Sequence, residues 1–265
     1  MIVRPGLFVV GTDTGVGKTR VAAAIARSLA AEERRVGVLK PVATGVPEGD
    51  ELGEDGRRLI AAVAGSWALP IPPRCIVPLA LAEPLAPTVA SRRRGHLLEP
   101  AEVERALDAA LDWWFMRADF VVVEGIGGLL TPVAEGNTVA DLAVRLDYPL
   151  VVVARRRLGT LNHTILTVEA AQRRGLRVAG LVLNSTAPAA GDDALAEATS
   201  AGELARLLEG IAVLAEIPFV AEGGGADPFE ILSELDWFGR ALLPRWTPTA
   251  APSGEDRSEL LHAGS

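Results

Sequence analysis

The stretch Gly6-Leu7-Phe8-Val9-Val10-Gly11-Thr12-Asp13-Thr14-Gly15-Val16-Gly17-Lys18-Thr19 decides how the rest of the chain is read. Leu7 to Val10 are apolar without alternation, as in a strand buried on both faces. Glycines and small polar residues follow, and helical spacing begins at once after Lys18-Thr19. A glycine-rich loop between strand and helix that ends in Lys-Thr is a phosphate-binding loop, or P-loop. Its backbone N–H groups and the helix N-terminus face phosphate oxygens. In such a loop Lys18 reaches the terminal phosphates, and the Thr19 hydroxyl is a ligand for Mg2+. Five residues separate Gly11 from Gly17, one more than in the strict pattern. A plain glycine turn would explain neither the Lys-Thr pair nor its context.

Outward from this loop the chain keeps one rhythm. Gly6–Val10, Arg35–Leu39, Phe120–Val123, Leu150–Ala154, Val178–Leu183 and Ala212–Ile217 read as short buried strands. Thr19–Glu33, Pro100–Met116, Thr160–Arg174 and Ala194–Leu208 carry helical spacing. The alternation predicts an α/β fold: a single P-loop NTPase domain, its sheet mainly parallel, with helices on both faces. Ligands on such sheets bind at the carboxyl ends of the strands. Pro41–Gly53 reads as a loop, and the proline-rich Trp67–Pro87 has little periodicity. The domain is expected over residues 1–243, with a disordered tail over 244–265.

Composition narrows the function. The 265 residues are 49% hydrophobic and 23% charged, ordinary for a globular chain. No uncharged apolar stretch approaches the ~20 residues of a membrane span. The start lacks the apolar core and cleavage site of a signal peptide. The single cysteine, Cys75, cannot form an internal disulfide and reads as a small buried hydrophobe. These features predict a soluble cytoplasmic protein. A net charge of −8 argues against nucleic acid as a partner. Of 26 basic residues only Lys18 and Lys40 are lysine, and a compact ammonium enters phosphate cradles that a planar guanidinium cannot. Glu124, at the end of an apolar strand and before Gly125-Ile126-Gly127-Gly128, suits a metal-binding carboxylate. Asn184 ends another strand, where an amide can read a purine edge. Arg155-Arg156-Arg157 reads as a solvated patch, and His96, His163 and His262 are too scattered for a zinc set.

Gly-Thr-Asp-Thr-x-Val-Gly-Lys-Thr over residues 11–19 resembles the opening of the dethiobiotin synthetases. Lys40-Pro41-Val42-Ala43-Thr44-Gly45 is similar to that family's second signature, with Thr44 in place of serine. Glu124-Gly125-Ile126-Gly127-Gly128 with Thr131-Pro132 resembles the third. Leu158-Gly159-Thr160-Leu161-Asn162-His163 and Glu216-Ile217-Pro218 are similar to later ones, all in family order. Two further departures are Gly15, where the family often has an acid, and Ser185, where it often has aspartate.

The resemblance implies ATP- and Mg2+-dependent closure of a urea ring on 7,8-diaminopelargonic acid with CO2 or bicarbonate. It implies catalytic roles for Lys18 and Lys40, and a nucleotide site of Gly15, Val16, Gly17, Lys18, Thr19, Arg20, Asp55, Glu124, Gly125, Gly127, Asn184, Ile217, Pro218, Phe219 and Glu222. Substrate contacts fall to Thr14, Lys40, Thr44, Gly159 and Asn162, the last two given by the other subunit of a homodimer. Metal ligands are Thr19, Asp55 and Glu124, with Glu54 competing with Asp55. The rival readings are a partition-type ATPase and a degenerate P-loop protein, each acting as a nucleotide-binding switch.

Overall fold

Branched apolar runs separated by glycine turns and amphipathic stretches build a sheet clad by helices. The computed structural model describes residues 4–220 and 227–244. Its six main strands are β1 (Gly6–Gly11), β2 (Val36–Leu39), β3 (Phe120–Gly128), β4 (Leu150–Arg155), β5 (Val178–Asn184) and β6 (Val213–Ile217). All pairings are parallel, in the order β6-β5-β4-β1-β3-β2. Successive side chains of a strand point to opposite faces, and every residue of β1 and β2 is buried, so both faces of the sheet are covered there.

The larger helices are α1 (Lys18–Ala31), α2 (Gly53–Val63), α3 (Pro100–Phe115), α4 (Val139–Leu146), α5 (Thr160–Gln172) and α6 (Asp192–Leu207). All six expected strands and four expected helices form, within two residues at their ends except that β3 runs five residues past Val123 to Gly128. α2 and α4 lie outside the four helices expected from spacing, and Pro41–Gly53 is not wholly loop, since Val42–Thr44 pairs in parallel with Leu79–Leu81. Three residues flanked by a glycine turn are too short for an alternation signal. A second ribbon joins Pro132–Ala134 to Asn137–Thr138.

Trp67, Trp113 and Trp114 cluster beside β2, with Trp113 and Trp114 edge to face at 4.8 Å. Trp114 donates its indole N–H to the Cys75 carbonyl at 2.7 Å, and Cys75 is buried in the core. Gly37 belongs to this packing, because a Cβ there would stand 2.8 Å from the Trp114 ring. The short helices Pro228–Leu232 and Trp237–Ala241 are tied back onto α1 and the segment that follows it. Arg27 pairs with Asp227 at 2.6 Å and lies over Phe229, and Arg34 lies over Phe238. Among the described residues no helix is long and apolar enough to cross a membrane. Glu222 and residues 245–265, nearly all of the expected tail, lie outside the described residues.

Candidate active site

Topology brings three loops to one edge. β1 lies between β3 and β4, and β2 flanks β3. The pairing Leu39↔Val123 carries Lys40 level with Glu124, and Val9↔Glu124 sets both beside the P-loop. Gly17 starts α1 at φ 94°, a left-handed conformation that favours glycine. A Cβ at Gly17 would also overlap the Asn184 amide, so this glycine is fixed by conformation and by space. α1 has no acid in its first turn, which leaves its N-terminal dipole for an anion. Lys18 is buried, and its ammonium donates to the Asp13 carbonyl at 2.9 Å across the loop.

Behind the loop four polar side chains converge. The Thr19 hydroxyl lies 2.8 Å from Asp55 Oδ1 and 2.8 Å from Glu124 Oε1. Lys40 Nζ lies 2.8 Å from both Asp55 Oδ2 and Glu124 Oε1, and 3.5 Å from the Gly125 carbonyl. Lys40 and Glu124 are 3% and 1% exposed, so this pair is removed from water. Burial alone would lower the Lys40 ammonium, but the Glu124 and Asp55 carboxylates outweigh it and hold its pKa above the usual lysine value. Burial would likewise raise Asp55, and Lys40 and the Thr19 hydroxyl hold it below the usual carboxylate range. Lys18 goes the other way: burial, helped by Lys40 and opposed by Glu124, lowers it to about 8. Glu54, the competitor of Asp55, is exposed at the rim and pairs with Arg58 at 2.6 Å.

The cluster suits a hard divalent cation. A hydroxyl has one proton, so Thr19 can satisfy only one of its two carboxylate neighbours. Glu124 Oε2 is buried with no hydrogen-bond partner. Two carboxylates and one hydroxyl, with phosphate oxygens and water completing the shell, form the set that Mg2+ takes. No group of three or more His, Cys, Asp or Glu side chains among the described residues is arranged to hold an ion.

A cleft of about 570 Å3 opens over this cluster. It is lined by Thr14, Gly15, Gly17, Lys18, Thr19, Arg20, Lys40, Thr44, Asp55, Glu124, Gly127, Asn184 and Phe219 of the expected residues. Val16 and Ile217 are buried beneath its walls, and Gly125 contributes only its carbonyl toward Lys40. Pro218 is exposed beside the cleft, and Gly159 and Asn162 are exposed at the start of α5 and do not line it. Ser185, singled out in the sequence beside Asn184, also lines the cleft, as do Arg58, Pro84, Ile126, Thr186 and Val220, which sequence reasoning did not place there. Thr186 could have been found, since it follows Asn184 and Ser185 at a strand end. Arg58 and Pro84 depend on how α2 and the loop before Pro87 fold over the edge.

The expected solvated patch Arg155–Arg157 is exposed only at Arg157, and Arg155 and Arg156 are partly buried and paired. Arg155 donates to the Thr14 carbonyl, and Arg156 is 14% exposed and paired with Glu197 and Glu216. The partners come from residues far along the chain, which a local run of arginines does not reveal.

The chain matches the AAA domain family over residues 5–225. The ATP-dependent dethiobiotin synthetase BioD of Anaeromyxobacter dehalogenans (strain 2CP-C) is 45% identical over 221 residues, 82% of this chain and 92% of the relative. The chain belongs to the ATP-dependent dethiobiotin synthetase family. The BioD synthetase of Bacillus licheniformis is 38% identical over 191 residues, 71% of this chain and 76% of its own. Dethiobiotin synthetase relatives favour the ligase reading over a partition-type switch. A ParA family ATPase from Chlorobium tepidum TLS superposes at a TM-score of 0.47 and 14% identity, over 87% of this chain and 90% of that one.

Proposed function

We propose that this protein is an ATP-dependent dethiobiotin synthetase that carboxylates 7,8-diaminopelargonic acid with CO2 and closes the urea ring, releasing ADP and phosphate. One amine captures CO2 as a carbamate, a carbamate oxygen accepts the γ-phosphoryl group, and the second amine attacks the carbonyl carbon and expels phosphate. The observation that carries this reading is Lys40, a lysine buried in the wall of a P-loop cleft and poised beside Lys18 and Glu124. A carbamate and a triphosphate repel, and an ammonium between them offsets that repulsion in a site shielded from water. Lys18, with the P-loop N–H groups of Gly15 to Thr19 and the neighbouring Arg20, holds the phosphates in line. Asn184, with the Ile217-Pro218-Phe219 turn, holds the base, and Glu222 the ribose.

Thr19, Asp55 and Glu124 would hold Mg2+, which when bound neutralises phosphate charge. Thr14, Lys40 and Thr44 face the diamine and its carbamate. The diamine's carboxylate goes to the N-terminus of α5, at Gly159 and Asn162 of a second subunit, so the site is completed in a homodimer. This reading takes residues 1–243 as one catalytic domain working in the cytoplasm, with 244–265 a tail outside it. Its test is incubation with Mg-ATP, the diamine and 13C-bicarbonate. Dethiobiotin heavier by one mass unit, with the label in the ureido carbonyl, is the expected product. Unlabelled product, or none while ATP is consumed, would overturn the proposal.

A further inference from the structure

Arg156 stands one residue beyond β4, and its partners are Asn184 at the end of β5, Glu197 on α6 and Glu216 on β6. Its backbone N–H donates to the Asn184 carbonyl at 3.2 Å. Its guanidinium donates to Glu197 Oε1 at 2.9 Å and to the Glu197 carbonyl at 3.1 Å, both on α6, and pairs with Glu216 Oε2 on β6 at 2.6 Å. Glu197 Oε1 in turn accepts the Ser185 hydroxyl at 2.5 Å. Ser185 is 2% exposed and also donates its backbone N–H to the Ile217 carbonyl at 2.9 Å. One planar fork therefore ties the ends of β4, β5 and β6 and the flank of α6 together, at the place where Asn184 and Ser185 enter the cleft.

What this brace holds is a single atom's direction. Asn184 spends its amide N–H on the Val16 carbonyl at 2.8 Å, leaving Oδ1 buried and without a partner in the cleft wall. An acceptor so placed reads one hydrogen on a base edge only while the strand end keeps its place. Without the guanidinium, Glu197 and Glu216 would be two like charges left facing each other, and the acceptor of Ser185 would be free to swing. The hydrogen bonds and ion pairs of Arg156 do not reach the P-loop lysine, Lys40 or the Thr19 cluster.

We infer that Arg156 is a positioning residue for the base-binding end of the nucleotide cleft, acting through Glu197 and Ser185 on Asn184. The inference rests on the proposed placing of the base against Asn184, which the proposed function contains. It separates two parts of nucleotide affinity: the base part needs Arg156 and the phosphate part does not.

The test compares ATP with inorganic tripolyphosphate, titrated calorimetrically with Mg2+ into the full-length protein and its Arg156→Met variant. ATP is expected to bind roughly tenfold more weakly to the variant, and tripolyphosphate within about twofold of the wild type. The KM for ATP should rise similarly, with kcat at saturating ATP and the KM for the diamine little changed. Arg156→Lys should not rescue, since a shorter side chain ending in one nitrogen lacks the two separated nitrogens that reach Glu197 on α6 and Glu216 on β6. Equal weakening of both ligands would mean a general structural role and overturn the inference, as would unchanged ATP binding. If Arg156→Met does not fold, Ser185→Ala decides, with a loss of a few-fold confined to ATP expected and no loss overturning it. A wild type that binds ATP no more tightly than tripolyphosphate also overturns it. A wild type that binds ATP more tightly, yet makes no dethiobiotin, overturns the proposed function and leaves this inference standing.

Discussion

Lys40 is held by two carboxylates in a place closed to water, which is an expensive position for a charge that served only the fold. Lys40→Gln should leave ADP binding within a few-fold of normal and lower kcat for ring closure by at least about a hundredfold, as loss of one preorganised charge does. Retained turnover would remove Lys40 from the chemistry. A thermal melt should accompany the assay, since the change also leaves Asp55 and Glu124 without their cation. Lys18 gives a pH prediction. Burial lowers its ammonium to about 8, so between about 8 and the ordinary lysine value of 10.5 the nucleotide-free fold holds fewer protons than the unfolded chain. Over that window this group's contribution to stability rises with pH, whereas that of Lys40 is kept up to the ordinary lysine value and falls only above it. Bound phosphates restore the proton, so ATP binding should take up about half a proton at pH 8 and little at pH 7. Calorimetry in two buffers of different ionisation heat reads this directly, and uptake that does not grow with pH would contradict the assigned state of Lys18.

Elements were legible where their signal was local. The six core strands announced themselves as unbroken apolar runs, because a sheet buried on both faces removes alternation. α2 was not read, though its buried residues Gly56, Leu59 and Val63 fall at helical spacing, because two glycines and an acidic start disguise it. Asp55 was therefore known only from resemblance, and its reach to Thr19 depends on α2 lying against α1. α4 was missed despite a capping signature, Thr138 followed three residues on by Asp141. The Thr138 backbone N–H and hydroxyl reach the Asp141 carboxylate at 2.7 and 2.6 Å. Burial alone would raise that carboxyl, and these bonds hold it below the usual range. A depressed carboxylate stabilises above its unfolded pKa of about 4 and loses that contribution as pH falls through the folded value. Asp141→Ala should thus lower stability by about 1 kcal/mol at pH 7, with the difference from wild type shrinking below about pH 4 in urea titrations.

At the scale of the whole molecule, the edge that carries the P-loop, Lys40 and Glu124 belongs to one chain, and Gly159 and Asn162 stand outside its cleft. The proposed sharing of the site between two subunits predicts complementation between defects in different parts. Lys40→Gln and Gly159→Asp homodimers should each be nearly inactive. When the two are unfolded together and refolded as an equal mixture, half the dimers carry one intact site, so about a quarter of wild-type activity should return. No recovery would place the whole site within one chain. The proposed ring closure is tested by phosphate release from Mg-ATP and bicarbonate, with and without 7,8-diaminopelargonic acid. Release that requires the diamine, matched mole for mole by dethiobiotin, is the predicted result; release of the same size without the diamine would contradict it.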